Sequence, residues 1–237
     1  KWTLQMIRCA VLGSPISHSL SPLLHQTAYE ELGLSGTYEA IEVDEANFAQ
    51  FFAKAKKENW TGFSLTMPLK EQAYLHADQA DDLVKKITSA NTLLNVSGKW
   101  VALSTDLLAF KSLLEVDAKS KIKILGGGGT ARAALGALSG VVPEVEVFIR
   151  SKSRIPALEQ AAGKTSIIFK DLSELDNSGD CIISTLPKSV LDPFVSKLEN
   201  GDGTLFDVIY NPWPTRAASD RKSTRLNSSH TDISRMP

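Results

Sequence analysis

"GFSLTMPLK" ends a strand with Thr66, turns at Pro68 and presents Lys70, and "LSTDLLAF" ends a strand with Thr105 and Asp106. In open α/β sheets the carboxyl ends of strands are where ligands bind. A lysine and a carboxylate converging there on one hydroxyl can polarise it and move its proton while hydride leaves the carbon. Plainer roles fit the same positions: Lys70 as a surface charge, and Asp106 as the cap of the following helix. "PISHSLSP" places Ser17, Ser19 and Ser21 two apart. In an extended loop their hydroxyls would project to one side, as neutral donors for a hydroxylated or carboxylated small molecule. Ser21, just before Pro22, also has the pattern of a helix N-cap.

A second centre lies in "KIKILGGGGTARAAL", where Gly126, Gly128 and Ala131 form G-x-G-x-x-A between a strand and a helix. This is the context of a dinucleotide fingerprint, because glycines admit a pyrophosphate close to the backbone and the helix start offers unpaired amides to its charge. The next strand, "VEVFI", ends in Arg150, Ser151, Lys152, Ser153 and Arg154. No carboxylate is present in that run to hold ribose hydroxyls, while two guanidiniums and an ammonium suit a 2′-phosphate, which favours NADP over NAD. The alternatives are a ligand-free glycine turn and a solvated basic loop.

Both centres need a frame, and the pattern supplies one. From Lys121 short β-branched runs alternate with helical stretches: strand "IKIL", helix "ARAALGALSG", strand "VEVFI", helix "RIPALEQAA", strands "TSIIF" and "DCIIST", helix "VLDPFVSKL", strand "TLFDVIY". That alternation predicts a parallel sheet covered by helices. The N-terminal part alternates too, with strands "RCAVLG", "TYEAIEV" and "GFSLT" around helices "PLLHQTAYEEL" and "ANFAQFFAKAKK", then two strand-like runs about Ser97-Gly98 that read as a hairpin. The fold class is therefore α/β: an N-terminal α/β substrate domain, then a Rossmann-type, doubly wound dinucleotide-binding domain. The boundary falls near "STDLLAFKSLL", giving domains at 1-105 and 106-218, closely hinged for want of a long linker. After "NPWPTRAAS" the sequence loses apolar periodicity, and 219-237 is expected to be a disordered, non-native tail resembling translated sequencing-adaptor read-through.

Composition narrows the partners. With 237 residues and 43% hydrophobic content the chain can bury a core in each of two domains. Its 26 basic and 27 acidic residues leave a net charge of -1, so no positive field exists to hold nucleic acid or an anionic membrane, and a small-molecule partner is expected. No apolar run approaches the roughly 18 residues of a membrane span, and Lys1-Trp2-Thr3 is not a signal-peptide start, so a cytoplasmic location is expected. Cys9 and Cys181 lie in apolar runs without a C-x-x-C partner and read as buried, reduced thiols. The four histidines show no ligand spacing, and no metal is expected.

The stretches "VLGSPISHSLSPLLH", "GFSLTMPLK", "SANTL", "STD", "GGGGTARAA", "STLP" and "DVIYNPWPT" together resemble, in order, the shikimate dehydrogenase family from about Val11 to Thr215. The resemblance implies reversible NADP-linked reduction of 3-dehydroshikimate to shikimate, with the first domain holding the acid and the second bringing NADPH across a cleft. It implies Lys70 and Asp106 as the catalytic pair, Ser19 and Ser21 on the substrate carboxylate, and Thr66, Asn91 and Tyr210 as further substrate contacts. For the cofactor it implies Gly126, Gly128, Gly129, Ala131, Arg150, Ser151, Arg154 and Thr185. A monomer or homodimer is expected. Quinate/shikimate dehydrogenase with NAD or NADP, and a silent dinucleotide-binding fragment, are the rival readings.

Four positions depart from the family pattern. Ser64 and Ser104 stand where the family usually has Asn, which is expected to weaken a hydrogen-bond network. Ala109 replaces a usual glycine, which a helical φ tolerates, and Ile149 a usual Asn. Beyond Tyr210 the family's glycine loop, its substrate-contacting glutamine and its returning helices are not found, so an impaired or unstable protein is expected.

Overall fold

The computed structural model describes residues 6–211, 213–219 and 224–226. The chain divides into two compact units, the first running to Thr105 and the second beginning at Asp106.

The first unit follows the order β1 (Ile7–Gly13), α1 (Ser21–Glu31), β2 (Gly36–Glu42), α2 (Glu45–Ala55), β3 (Gly62–Leu65), α3 (Lys70–His76), β4 (Gln79–Ala80), α4 (Asp82–Ile87), β5 (Thr92–Val96) and β6 (Lys99–Leu103). Its sheet is ordered β2-β1-β3-β5-β6-β4. β1 pairs in parallel with β2 and β3, while β3–β5 and β5–β6 are antiparallel. The expected hairpin joins β5 to β6, with Ser97 at φ 53° and Gly98 at φ 84°, the two positive values that match the twist of a two-residue turn. Side-chain alternation sends Ala10, Leu12, Phe63, Leu65, Leu93, Trp100 and Ala102 into one core beneath Phe48 and Phe52 of α2. Phe63 stacks on Trp100 at 5.2 Å between ring centroids, and Phe52 meets the same indole edge-on at 5.1 Å. The opposite face carries a smaller cluster of Val11, Ile16 and Tyr38, against which Cys9 and Tyr29 pack. Cys9 is therefore half-buried rather than buried, because this cluster covers it only partly.

Asp44 and Asp81 cap α2 and α4 by accepting the Asn47 and Val84 amides. The helices α3 and α4, seven and six residues long, lie outside the sequence expectation. At two turns or fewer they show too little periodicity to be read.

The second unit contains α5 (Thr105–Leu113, its first residue at the boundary), β7 (Ile122–Leu125), α6 (Gly129–Leu138), β8 (Glu144–Phe148), α7 (Ile155–Ala162), β9 (Ser166–Lys170), β10 (Cys181–Ser184), β11 (Thr204–Asp207), α8 (Arg216–Ser219) and β12 (Thr224–Leu226). Its sheet is ordered β12-β11-β10-β7-β8-β9, and each neighbouring pair among these described strands is parallel. Read from the β9 edge, the strands run third, second, first, fourth, fifth, sixth, the doubly wound order, with its switch point between β7 and β10. β7 and β10 are buried along their whole length, as central parallel strands are.

Two expectations in this unit are corrected. "VLDPFVSKL" forms a 3-10 helix over Asp192–Lys197 instead of an α-helix, with Pro193 in its first turn. The run is six residues, short enough for the tighter turn to suffice. Part of the stretch expected to be disordered is ordered: β12 pairs in parallel with β11, Leu205 opposite Thr224 through Asp207 opposite Leu226. An open parallel edge offers a row of unpaired amides and carbonyls, and backbone pairing there does not need apolar periodicity in the incoming strand. The other residues of 219-237 beyond Ser219 lie outside the described ones.

Candidate active site

In the first unit the candidate substrate residues are sewn together by the backbone. The Thr66 amide donates to the Leu12 carbonyl and the Ser14 amide to that of Met67, tying "VLGSP" to "LTMP". The Leu65 amide donates to the Asn91 carbonyl and the Ala90 amide to that of Lys70, so "SANTL" lies against the start of α3. Lys70 is the first residue of that helix, half-buried.

The serine row is not extended. The Ser19 amide bonds back to the Ile16 carbonyl at 3.0 Å, closing a turn that leaves Ser17 exposed, Ser19 half-buried and Ser21 buried. Nor is Ser21 the cap of α1: it is the first helical residue, and the residue before it, Leu20, makes no side-chain capping bond. Ser19 does that work in part, its Oγ accepting the Ser21 amide at 3.3 Å.

Asn91, buried, holds Thr105 with both ends of its amide: Oδ1 accepts the Thr105 amide at 2.8 Å, and Nδ2 donates to Thr105 Oγ1 at 2.6 Å. Thr105 and Asp106 open α5 instead of ending a strand, because β6 stops at Leu103. Asp106 is buried and lies inside the first helical turn, so the cap reading does not hold. Ala109 stands within α5 as well, where a side chain costs nothing at helical φ.

Sequence reasoning missed Tyr38. Its ring lies on β2, stacks on His25 of α1 at 3.9 Å, and its hydroxyl donates to Ser64 Oγ on β3 at 2.7 Å. Burial pushes the phenol up to about 12, against the hydrogen bond with Ser64. Ser64 thus keeps a partner despite being shorter than an asparagine. Only the presence of an aromatic in an alternating strand signalled Tyr38, since Ser64 is 26 residues away.

The second unit holds the glycine turn. Gly126 has φ 114°, and a Cβ there would lie 2.5 Å from Thr185 Oγ1. Thr185 closes on the turn from β10, its amide and its hydroxyl both donating to the Leu125 carbonyl at 2.9 Å. Gly128 precedes α6, and the space beside its Cα is open, with no atom within 4 Å of a would-be Cβ. Gly129 and Ala131 continue into the first turn of α6, Ala131 fully buried. Arg150, Ser151 and Arg154 are exposed beyond β8, and the Arg154 side chain approaches Gly127 to 3.3 Å of a would-be Cβ. An open cradle at a helix start, with guanidiniums and no carboxylate across the next strand's end, fits a phosphorylated dinucleotide.

Tyr210 follows β11. Just before it Asp207 is buried, and burial pushes its carboxyl above the usual carboxylate value, against hydrogen bonds from the Ile209 amide and the Thr215 hydroxyl. Among the described residues no group of three or more His, Cys, Asp or Glu is placed to hold a metal, and no helix is long and apolar enough to cross a membrane.

Residues 11–93 match the family model described as the shikimate dehydrogenase substrate binding domain. The chain is 33% identical over 218 residues to the shikimate dehydrogenase (NADP(+)) of Staphylococcus epidermidis, covering 88% of this chain and 79% of that one. It is likewise 33% identical over 225 residues to that of Thermus thermophilus, covering 93% and 85%. The solved shikimate dehydrogenase of Mycobacterium tuberculosis superposes with a TM-score of 0.79 at 31% identity, covering 93% of this chain and 87% of that chain. The solved Thermus thermophilus enzyme, a complex with NADP(H) and shikimate, gives 0.79 at 28%, covering 94% and 87%. A third of the residues held in common over four-fifths of such relatives' length leaves one conclusion: the chain belongs to the shikimate dehydrogenase family.

Proposed function

We propose that this protein catalyses the reversible, NADP-linked interconversion of shikimate and 3-dehydroshikimate, an oxidoreductase reaction at a CH-OH group on the route to aromatic amino acids. The observation that carries the reading is the 33% identity to relatives named for that reaction, across 79% to 85% of their length. Ser19 and Ser21 hold the substrate carboxylate through hydroxyl donors, and Thr66, Asn91 and Tyr210 bind its ring hydroxyls. Lys70 is the proton carrier at the reacting oxygen: as ammonium it donates to the developing alkoxide when 3-dehydroshikimate is reduced, and in the reverse direction it receives that proton. Asp106 is the second member of the catalytic pair, polarising the same hydroxyl as its proton moves. The Gly126–Ala131 turn, with Arg150, Ser151 and Arg154 at the 2′-phosphate and Thr185 beside the turn, holds NADP, which supplies or accepts the hydride. The same reading makes the protein a cytoplasmic enzyme acting on a free small molecule, as a monomer or homodimer.

The test is absorbance of NADPH formed from shikimate and NADP, with quinate and NAD substituted in parallel arms. Turnover with shikimate and NADP is expected, and Lys70→Ala is expected to lower kcat by about 10²–10⁴-fold, the usual weight of a general acid–base group. Preference for quinate would overturn the substrate, and preference for NAD the cofactor.

A further inference from the structure

The loop that carries Tyr210 is closed by one buried carboxylate. Asp207, 2% exposed at the end of β11, accepts the Ile209 amide on Oδ1 at 3.1 Å and the Thr215 hydroxyl on Oδ2 at 2.8 Å. Thr215 is in turn fixed to the next element, since its Oγ1 accepts the Ala218 amide at 3.2 Å and its carbonyl accepts the Ser219 amide at 3.0 Å, the capping arrangement of α8. On the other side the Val208 amide donates to the Ser184 carbonyl of β10 at 3.1 Å, anchoring the strand end from which the loop departs. Ile209 therefore leaves the sheet, and Thr215 re-enters regular structure, on the two oxygens of one side chain. Tyr210 lies between them, next to the bonded amide.

We propose that the Asp207–Thr215 pair is a clasp that positions Tyr210 against the substrate, so that Asp207 and Thr215 are positioning residues for a reaction they do not touch. The proposal rests on the role of Tyr210 given above. A carboxylate is suited to the task because it accepts in two directions at once, and a buried one makes each bond worth more than a solvated contact would. The residue types follow from this. Asparagine at 207 keeps one acceptor and turns the other end into a donor, so it can no longer accept the Ile209 amide and the Thr215 hydroxyl on separate oxygens.

The experiment compares Thr215→Val, Thr215→Ser, Asp207→Asn and Tyr210→Phe in the full chain. Shikimate and NADP kinetics are measured together with hydrogen–deuterium exchange of the peptide containing Ile209 and Tyr210. Thr215→Val is expected to raise KM for shikimate about tenfold with kcat and KM for NADP within about twofold, the pattern of lost uniform binding. Thr215→Ser restores the parent value. Thr215→Val combined with Tyr210→Phe is expected to do no more than either alone, because both remove the same contact. Asp207→Asn is expected to speed exchange at Ile209 about tenfold or more. An unchanged KM for shikimate in Thr215→Val beside a raised one in Tyr210→Phe overturns the clasp's role. So does a loss that Thr215→Ser fails to rescue. A parent chain without shikimate turnover overturns the functional reading and the role of Tyr210 with it, and the exchange measurement then decides separately whether the clasp exists.

Discussion

Asn91 uses both ends of its amide on Thr105, and so it governs where α5 begins as well as whatever it offers a ligand. Asn91→Ala removes two bonds at a buried position and is expected to cost about 1–3 kcal/mol in urea unfolding. Thr105→Val removes only the hydroxyl half and should cost about 1 kcal/mol. If Thr105→Val proves the costlier of the two, the clamp is wrongly described. Both residues stand in quoted motifs, yet their bond spans 14 positions and nothing in their spacing announces it. The same holds for Ser64, whose shortness was legible and whose compensation by Tyr38 was not, because the phenol belongs to a strand whose place in the sheet cannot be read from its own residues. What was legible at this scale was chemical type: a lysine, a carboxylate, a row of hydroxyls and a basic run without acids.

At the scale of elements, the turn after β7 is the most exacting piece. Alanine at Gly126 would need φ 114° and would place its Cβ 2.5 Å from Thr185 Oγ1. Gly126→Ala is expected to cost about 1–3 kcal/mol for the strained backbone alone and to raise KM for NADP more than KM for shikimate. Equal stability by thermal unfolding would contradict it. Arg150→Ala with Arg154→Ala is expected to weaken NADP by about tenfold or more while leaving NAD nearly unchanged, since in the proposed cofactor site only the 2′-phosphate meets the guanidiniums. Glycine-run, hairpin and long amphipathic signals were legible because they are local. The bend of "PISHSLSP" was not, since the Ser19 amide finds the Ile16 carbonyl instead of staying extended. Pro193 could have been read as a warning against an α-helix begun as early as Val190, where it would fall beyond the first turn. β12 could not, because its partner, the open edge of β11, exists only once the sheet does.

At the scale of the whole molecule, part of the response to acid comes from carboxylates held by lysines. Asp78 in the first unit, bonded by Lys56, and Asp176 in the second, bonded by buried Lys123, both titrate below the ordinary 3.8. The unfolded chain therefore takes up protons first as pH falls, so the stability these groups contribute is complete above about pH 5 and is lost as pH drops through 3.8 toward their folded values. Asp207 has the opposite sign: its raised value makes the folded chain the better proton acceptor just above 3.8, which offsets part of that loss. Asp176→Asn is thus expected to flatten the acid limb of a stability-versus-pH curve, and Asp207→Asn to steepen it. Urea midpoints between about pH 3 and 7 read both slopes. The order of the second sheet has a further consequence, for the chain in the course of its synthesis. β7 is central, but its neighbour β10 arrives late: the Lys121 amide is bonded by an Asp180 carboxylate 59 residues onward. At about 5–20 residues per second, one side of β7 waits roughly 3–12 s for its partner. During that interval a strand that ends up wholly buried stands at an open margin, and the nascent chain is most exposed to wrong partners there.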